Sequence, residues 1–151
     1  MIIVDSFKII GISVRTTNKE NKATKDIGNL WGMFYSENII KKIQNRISDD
    51  IFSIYTDYIN NFQDEYITII GVSVPNLDSI PEGMVGREFP TENFKVFDVN
   101  GSLPGAIIDT WREIWRQDNE LQRKYSYDFE LYKKAGLNTE DQVVKIFISL
   151  K

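Results

Sequence analysis

The order strand, helix, strand, strand occurs twice along this chain, and each helix carries a tryptophan on its apolar face, Trp31 in the first copy and Trp111 in the second. In the first copy, Phe7 to Val14 is rich in β-branched residues and predicts a strand. Asn18 to Asp26 is polar and predicts a loop, with Asp26 at the N-cap of the helix that follows. Ile27, Leu30, Trp31 and Phe34 recur at helical spacing and are resumed by Ile40, Ile43 and Ile47. The register slips near Ser36-Glu37, and Ser48-Asp49-Asp50 ends the segment. Phe52 to Tyr58 and Tyr66 to Val74 predict two strands joined by a polar connection. Pro75 to Pro90, punctuated by proline, glycine and aspartate, predicts a connecting loop.

The second copy opens with Phe94 to Val99, a strand, after which Ser102 and Pro104 signal a helix start. Ile107, Ile108, Trp111, Ile114 and Trp115 form its apolar face, and Phe129 to Tyr132 and Val143 to Leu150 are the last two strands. A long period seen only twice is no solenoid. It implies an internal duplication closing into one sheet, because both apolar helix faces need a common surface to cover them. The expected fold is therefore α+β, with duplicated strand-helix-strand-strand units forming one curved antiparallel sheet with two helices and a pseudo-twofold axis. Residues 1–151 make a single domain, with halves at about 1–75 and 90–151.

Composition removes whole classes of chemistry. The chain has no cysteine and no histidine, which excludes disulfides, thiolate or imidazole metal sites, and His-based triads. No metal site and no cofactor is expected: the run Gly83-Met84-Val85-Gly86 lacks the spacing of a phosphate loop, and Glu65, Asp78, Glu82 and Glu88 do not make a metal loop. A net charge of −4 argues against direct nucleic-acid binding. The segment Met1 to Asp5 does not read as a signal peptide, and no apolar run approaches the roughly 20 residues that span a bilayer. A cytoplasmic protein without a membrane partner is expected, and Asn100-Gly101-Ser102 then reads as a turn rather than a glycosylation site.

The combination Leu30-Trp31-x-x-Phe34, Tyr55-Thr56-Asp57-Tyr58, Trp111-x-x-Ile114-Trp115 and Tyr127-Asp128-Phe129-Glu130-Leu131-Tyr132 resembles the GyrI-like small-molecule-binding domain. That domain forms the effector-binding part of some AraC-type bacterial transcription activators and also occurs alone. The resemblance runs from Phe7 to Leu150. It implies a duplicated fold with a pocket between the halves, ligands that are small and often hydrophobic and cationic, and a functional glutamate at Glu130. No helix-turn-helix precedes the first strand, so a stand-alone form, acting through a separate regulatory protein or by sequestration, is expected.

Alternation puts Phe129 and Leu131 on one face of their strand and Asp128, Glu130 and Tyr132 on the other, which the residues alone leave as solvent or pocket floor. Tyr55 and Asp57 are the counterparts in the first half, side by side on one face, with Asp57 by itself more simply structural or solvated. Trp31 and Trp111 sit where tryptophan is ordinarily core, while Trp115, nearer the helix end, suits a pocket mouth. Tyr125 and Tyr127 are further aromatic candidates, and Arg112, Arg116, Arg123 and Lys124 read as a solvated basic face. The ligand-binding set is thus Glu130, Tyr55, Trp115, Tyr132, Trp111 and Asp57.

Three functions follow from the resemblance. The first is a sensor or sequestering protein for an amphipathic or cationic small molecule, anchored electrostatically by Glu130. The second is a hydrolase that opens the cyclopropane ring of DNA-alkylating natural products, with Glu130 and Tyr55 as the catalytic pair. The third is a protein-interaction inhibitor of the gyrase-inhibitor type.

Overall fold

A computed structural model describes residues 1–133 and 143–151 of the chain. Eight strands form one antiparallel sheet: β1 (Ile2–Val4), β2 (Phe7–Thr17), β3 (Ile51–Thr56), β4 (Glu65–Val74), β5 (Val85–Phe89), β6 (Glu92–Asp98), β7 (Tyr127–Lys133) and β8 (Val143–Ser149). Their order is β1-β6-β8-β7-β3-β4-β2-β5. The halves meet at β3 and β7, where Ser53 lies opposite Glu130 and Tyr55 opposite Asp128. Each half is strand, helix, strand, strand as expected, with α1 (Lys22–Ser36) in the first and α3 (Gly105–Arg116) in the second. Short helices α2 (Ile39–Lys42) and α4 (Asp118–Leu121) follow them.

The ends of the sheet are exchanged. Strand β1 precedes β2 in sequence but pairs with β6 of the second half, and β5 precedes β6 but pairs with β2 of the first. The segment Pro75 to Pro90, expected to be loop throughout, therefore contains an edge strand. Proline and glycine flank it, and only one of its sides carries a ladder, so it lacks the long apolar run of a central strand.

One face of the sheet is covered without any helix. Val4, Phe7, Ile9, Phe52, Ile54, Ile69, Phe89, Phe94, Phe129 and Phe147 form a cluster fed by every strand. Phe89 of β5 reaches Tyr127 of β7 with ring centroids 4.9 Å apart, so the sheet curls until strands distant in its order touch. A face this apolar has no other way to leave water. At the crossing of β2 and β4, Gly11 lies opposite Gly71. A Cβ on Gly11 would stand 2.1 Å from the Ile70 carbonyl oxygen, so only glycine permits this approach.

The other face carries the helices. Leu30 and Phe34 of α1 pack on Ile10, Ile12, Ile70 and Val72, whereas α3 has only Ala106 and Ile114 fully buried. The first helix starts earlier than expected: a 3₁₀ turn over Lys19–Asn21 leads into it, and Asp26 sits inside it rather than at its cap. The Asp26 carboxylate accepts hydrogen bonds from Thr16 Oγ1 at 2.8 Å and Lys22 Nζ at 2.7 Å. It breaks at Ser36, where the register slip points to a break: Asn38 adopts the left-handed conformation with φ 50° and restarts the chain in α2. Residues 43–50 are not helical; Ile43 is buried and Ile47 is 65% exposed. No described helix is long and apolar enough to cross a membrane.

Candidate functional site

A cavity of about 660 Å³ lies between α1 and α3, over the strands where the halves join. Ile27 and Trp31 of α1 line one wall, and Ile107, Trp111 and Trp115 of α3 the other. Tyr55 of β3, Tyr66 of β4 and Glu130 and Tyr132 of β7 belong to the lining beneath. The alternation of β7 produces this floor: Phe129 and Leu131 turn to the helix-free aromatic core, so Glu130 and Tyr132 turn to the helices.

Glu130 is 3% exposed. Its Oε2 accepts hydrogen bonds from Tyr55 Oη at 2.8 Å and Trp111 Nε1 at 2.6 Å, and its Oε1 accepts one from Tyr132 Oη at 2.5 Å. All three donors are neutral. Burial pushes the carboxyl's pKa above its ordinary value, and the bonds from Tyr132, Trp111 and Tyr55 work the other way. Burial and the neighbouring Glu130 charge raise the pKa of the Tyr55 and Tyr132 hydroxyls, so both remain protonated donors. The rings are fixed as well: Tyr55 meets Trp111 edge-on at 5.4 Å, and Tyr132 meets Trp31 edge-on at 5.1 Å.

A second buried carboxylate on the same strand face is neutralised. Asp128 is paired with Arg123 at 2.8 Å, and it accepts from Tyr58 Oη at 2.6 Å and from the Ser149 backbone N–H at 2.8 Å. Arg123 also reaches Asp118 at 3.3 Å and lies over the Tyr125 ring at 4.2 Å. Two acids two residues apart thus receive opposite treatment, one countered by a guanidinium and the other only by neutral donors. Among the described residues no group of three or more acidic side chains is placed to hold a metal ion.

Of the residues singled out from the sequence, Glu130, Tyr55, Tyr132, Trp111 and Trp115 come together on this cavity. Asp57 does not. Strand β3 ends at Thr56, and Asp57 has φ 51°, so the chain leaves the sheet and its carboxylate pairs with Arg87 of β5 at 2.9 Å, outside the cavity. Trp31, expected to be core, is half-buried in the cavity wall. Tyr127 is core and Tyr125 packs on Arg123; neither lines the cavity. Arg123 is not part of a solvated basic face, since its side chain is 1% exposed. Phe62 escaped notice: it lies in the connection between β3 and β4 and stacks on Trp115 with centroids 5.6 Å apart and planes 11° apart. Its carbonyl accepts from Asn18 Nδ2 at 2.9 Å, tying that connection to the start of the first helix.

Comparison with known proteins agrees with this architecture. Residues 2–150 match the family described as integron-associated effector binding protein, Cass2. A candidate transcriptional regulator of Bacillus subtilis (strain 168), YobU, is 24% identical over 151 residues, 98% of this chain and 94% of its own. The integron cassette protein VCH_CASS2, from the mobile metagenome of Vibrio cholerae, is 28% identical with a TM-score of 0.77, covering 99% of this chain and 94% of that one. SAV2435, whose structure was solved bound to tetraphenylphosphonium, has the same fold at 19% identity, with a TM-score of 0.81 over 99% of this chain and 92% of that one.

Proposed function

The chain belongs to the integron-associated effector-binding family, and on that footing we propose that it holds a small hydrophobic cation in the cavity between its halves, as a sensor or sequestering protein. One observation carries this reading: the carboxylate of Glu130 is buried on the floor of an aromatic cavity with no cationic partner among its hydrogen bonds. A buried charge without a counter-charge is costly, and a cation entering the cavity would offset that cost where little water screens the attraction. Tyr55, Tyr132, Trp31 and Trp111 supply the rings that suit a delocalised or aryl-bearing cation. The volume is in the usual range for a small-molecule site. That SAV2435 was solved with tetraphenylphosphonium makes that ion the natural first probe.

Calorimetry with tetraphenylphosphonium and its anionic isostere tetraphenylborate tests the reading. The cation is expected to bind and the anion to bind far more weakly. Glu130→Gln keeps the shape of the site and removes its charge, and should cost roughly 1.5–3 kcal/mol of cation binding, about 10- to 150-fold in Kd. Equal affinity for the two ions, or unchanged affinity in Glu130→Gln, would defeat it.

A second reading is favoured by the 2.8 Å bond between Tyr55 Oη and Glu130 Oε2. In a hydrolase of cyclopropane-bearing alkylators, Glu130 would take a proton from water as its oxygen bonds to a ring carbon, the ring C–C bond would break with its electron pair passing to the conjugated carbonyl, and Tyr55 would give its proton to that carbonyl oxygen. Mass spectrometry of such a substrate then shows hydrolysed product with the wild type, and Glu130→Gln and Tyr55→Phe each lower its rate roughly 10²–10⁴-fold. A substrate left intact by the wild type eliminates this reading.

A further inference from the structure

Three neutral groups hold the Glu130 charge, and they are not equivalent. Tyr55 and Tyr132 reach it from within the sheet, on β3 and β7. Trp111 reaches it from α3, through an indole N–H 2.6 Å from Oε2. Helix α3 buries only Ala106 and Ile114 fully, so this bond is its polar tie to the centre of the sheet. Indole N–H is a donor only and does not titrate, so Trp111 can do one thing for the carboxyl: favour its ionised form.

We propose that Trp111 is a positioning residue whose N–H keeps the Glu130 carboxylate charged and oriented for a cation, so that the seating of α3 and the occupancy of the cavity are linked. The proposal rests on the reading of Glu130 as the anchor. The groups that face Glu130 leave the assignment clear. From β3 come Tyr55 and Ser53, from β4 Tyr66, and from β7 itself Tyr132 and Asp128. These tyrosines, and Tyr58 in the connection after β3, are all held protonated, and Asp128 is committed to Arg123, a buried cation that also lines the cavity. From α3 the only other ionisable lining residue is Arg112, whose side chain is 72% exposed. Glu130 is thus the group whose protonation changes the charge of the floor as pH falls, which should weaken cation binding.

The linkage runs both ways. Without the indole N–H, the carboxyl binds a proton more tightly, by about tenfold or more for a charge-assisted bond of this kind. Trp111→Phe keeps an aromatic ring in the wall and removes only the donor. The experiment is tetraphenylphosphonium binding across a pH series by calorimetry, with the wild type and Trp111→Phe. The wild type should lose affinity as pH falls, and the variant should lose it at a higher pH. A residue that merely packed the wall would lower affinity at every pH and leave the midpoint in place, and that result overturns the proposal. A wild type whose affinity does not depend on pH overturns the anchor reading instead, and this inference with it. A measurement on the unaltered protein covers a variant that fails to fold. The Trp111 indole ¹H–¹⁵N resonance should titrate with the same midpoint as the Glu130 carboxyl carbon and shift when tetraphenylphosphonium is added. An indole resonance that ignores both titration and ligand overturns the assignment.

Discussion

Glu130 sets the chemistry of the cavity by being left charged where a counter-charge would be usual, and the cost of that choice has a sign that can be checked. Its carboxyl binds a proton more tightly in the folded protein than at the ordinary glutamate value of 4.5, because burial disfavours the anion. The contribution of Glu130 to stability is therefore greatest below that value and is lost as pH rises through the raised one. Urea unfolding of the wild type and Glu130→Gln over a pH series should show the wild type losing stability relative to the variant as pH increases. A wild-type stability that stays level relative to the variant would mean that the three donors balance burial, and one that rises with pH that they outweigh it. Asp128, on the same strand face, is instead paired with the guanidinium of Arg123 at 2.8 Å. Which of the two acids is left uncompensated could not be read from Tyr127-Asp128-Phe129-Glu130: alternation puts both on one face, and only the position of Arg123, brought in from the turn before the strand, separates them.

The elements around the cavity differ in how firmly they are fixed. Helix α1 is seated by Leu30 and Phe34, whereas α3 meets the connection between β3 and β4 through the stack of Trp115 on Phe62. Both rings line the cavity, and Phe62→Ala should widen it there. Loss of an aromatic pair of this kind speeds tetraphenylphosphonium release roughly two- to tenfold. Stopped-flow tryptophan fluorescence measures the rate, and an unchanged rate would show that the stack does not restrain the ligand. Phe62 was invisible in the sequence because its role comes from the path of a loop, fixed by Asn18 across 44 positions, and not from periodicity. The strands and helices that carry period-2 or helical patterning were legible: β2, β4, β8 and the bodies of α1 and α3 lie where Phe7 to Val14, Tyr66 to Val74, Val143 to Leu150 and the tryptophan faces put them. What failed was decided by a backbone conformation that no residue type enforces, as at Asp57, or by edge pairing, as at β5.

The two halves are tied together along the sheet. Every strand feeds the helix-free aromatic cluster, β3 and β7 join the halves at the centre, and β1 and β5 each lie on the sheet edge of the other half. Unfolding by urea should therefore be a single transition, with tryptophan fluorescence and far-ultraviolet circular dichroism giving the same midpoint. Two separated midpoints would show halves that fold independently. The register at the join has a further consequence. Ser53 faces Glu130, and Tyr55 stands edge-on to Trp111 as Tyr132 does to Trp31, so Ser53 holds in the first half the place that Glu130 holds in the second. A pair of identical chains meeting along the same strands would have to carry the same residue at both places. Two glutamates there would repel each other, and one would take up a proton, leaving a shared hydrogen and an ambiguous charge. Joining both copies in one chain removes that obligation. One half carries the acid and the other a small hydroxyl, Ser53, which leaves the acid without a like charge opposite it. The floor carries one unshared negative charge, which is the complement of a single positive one.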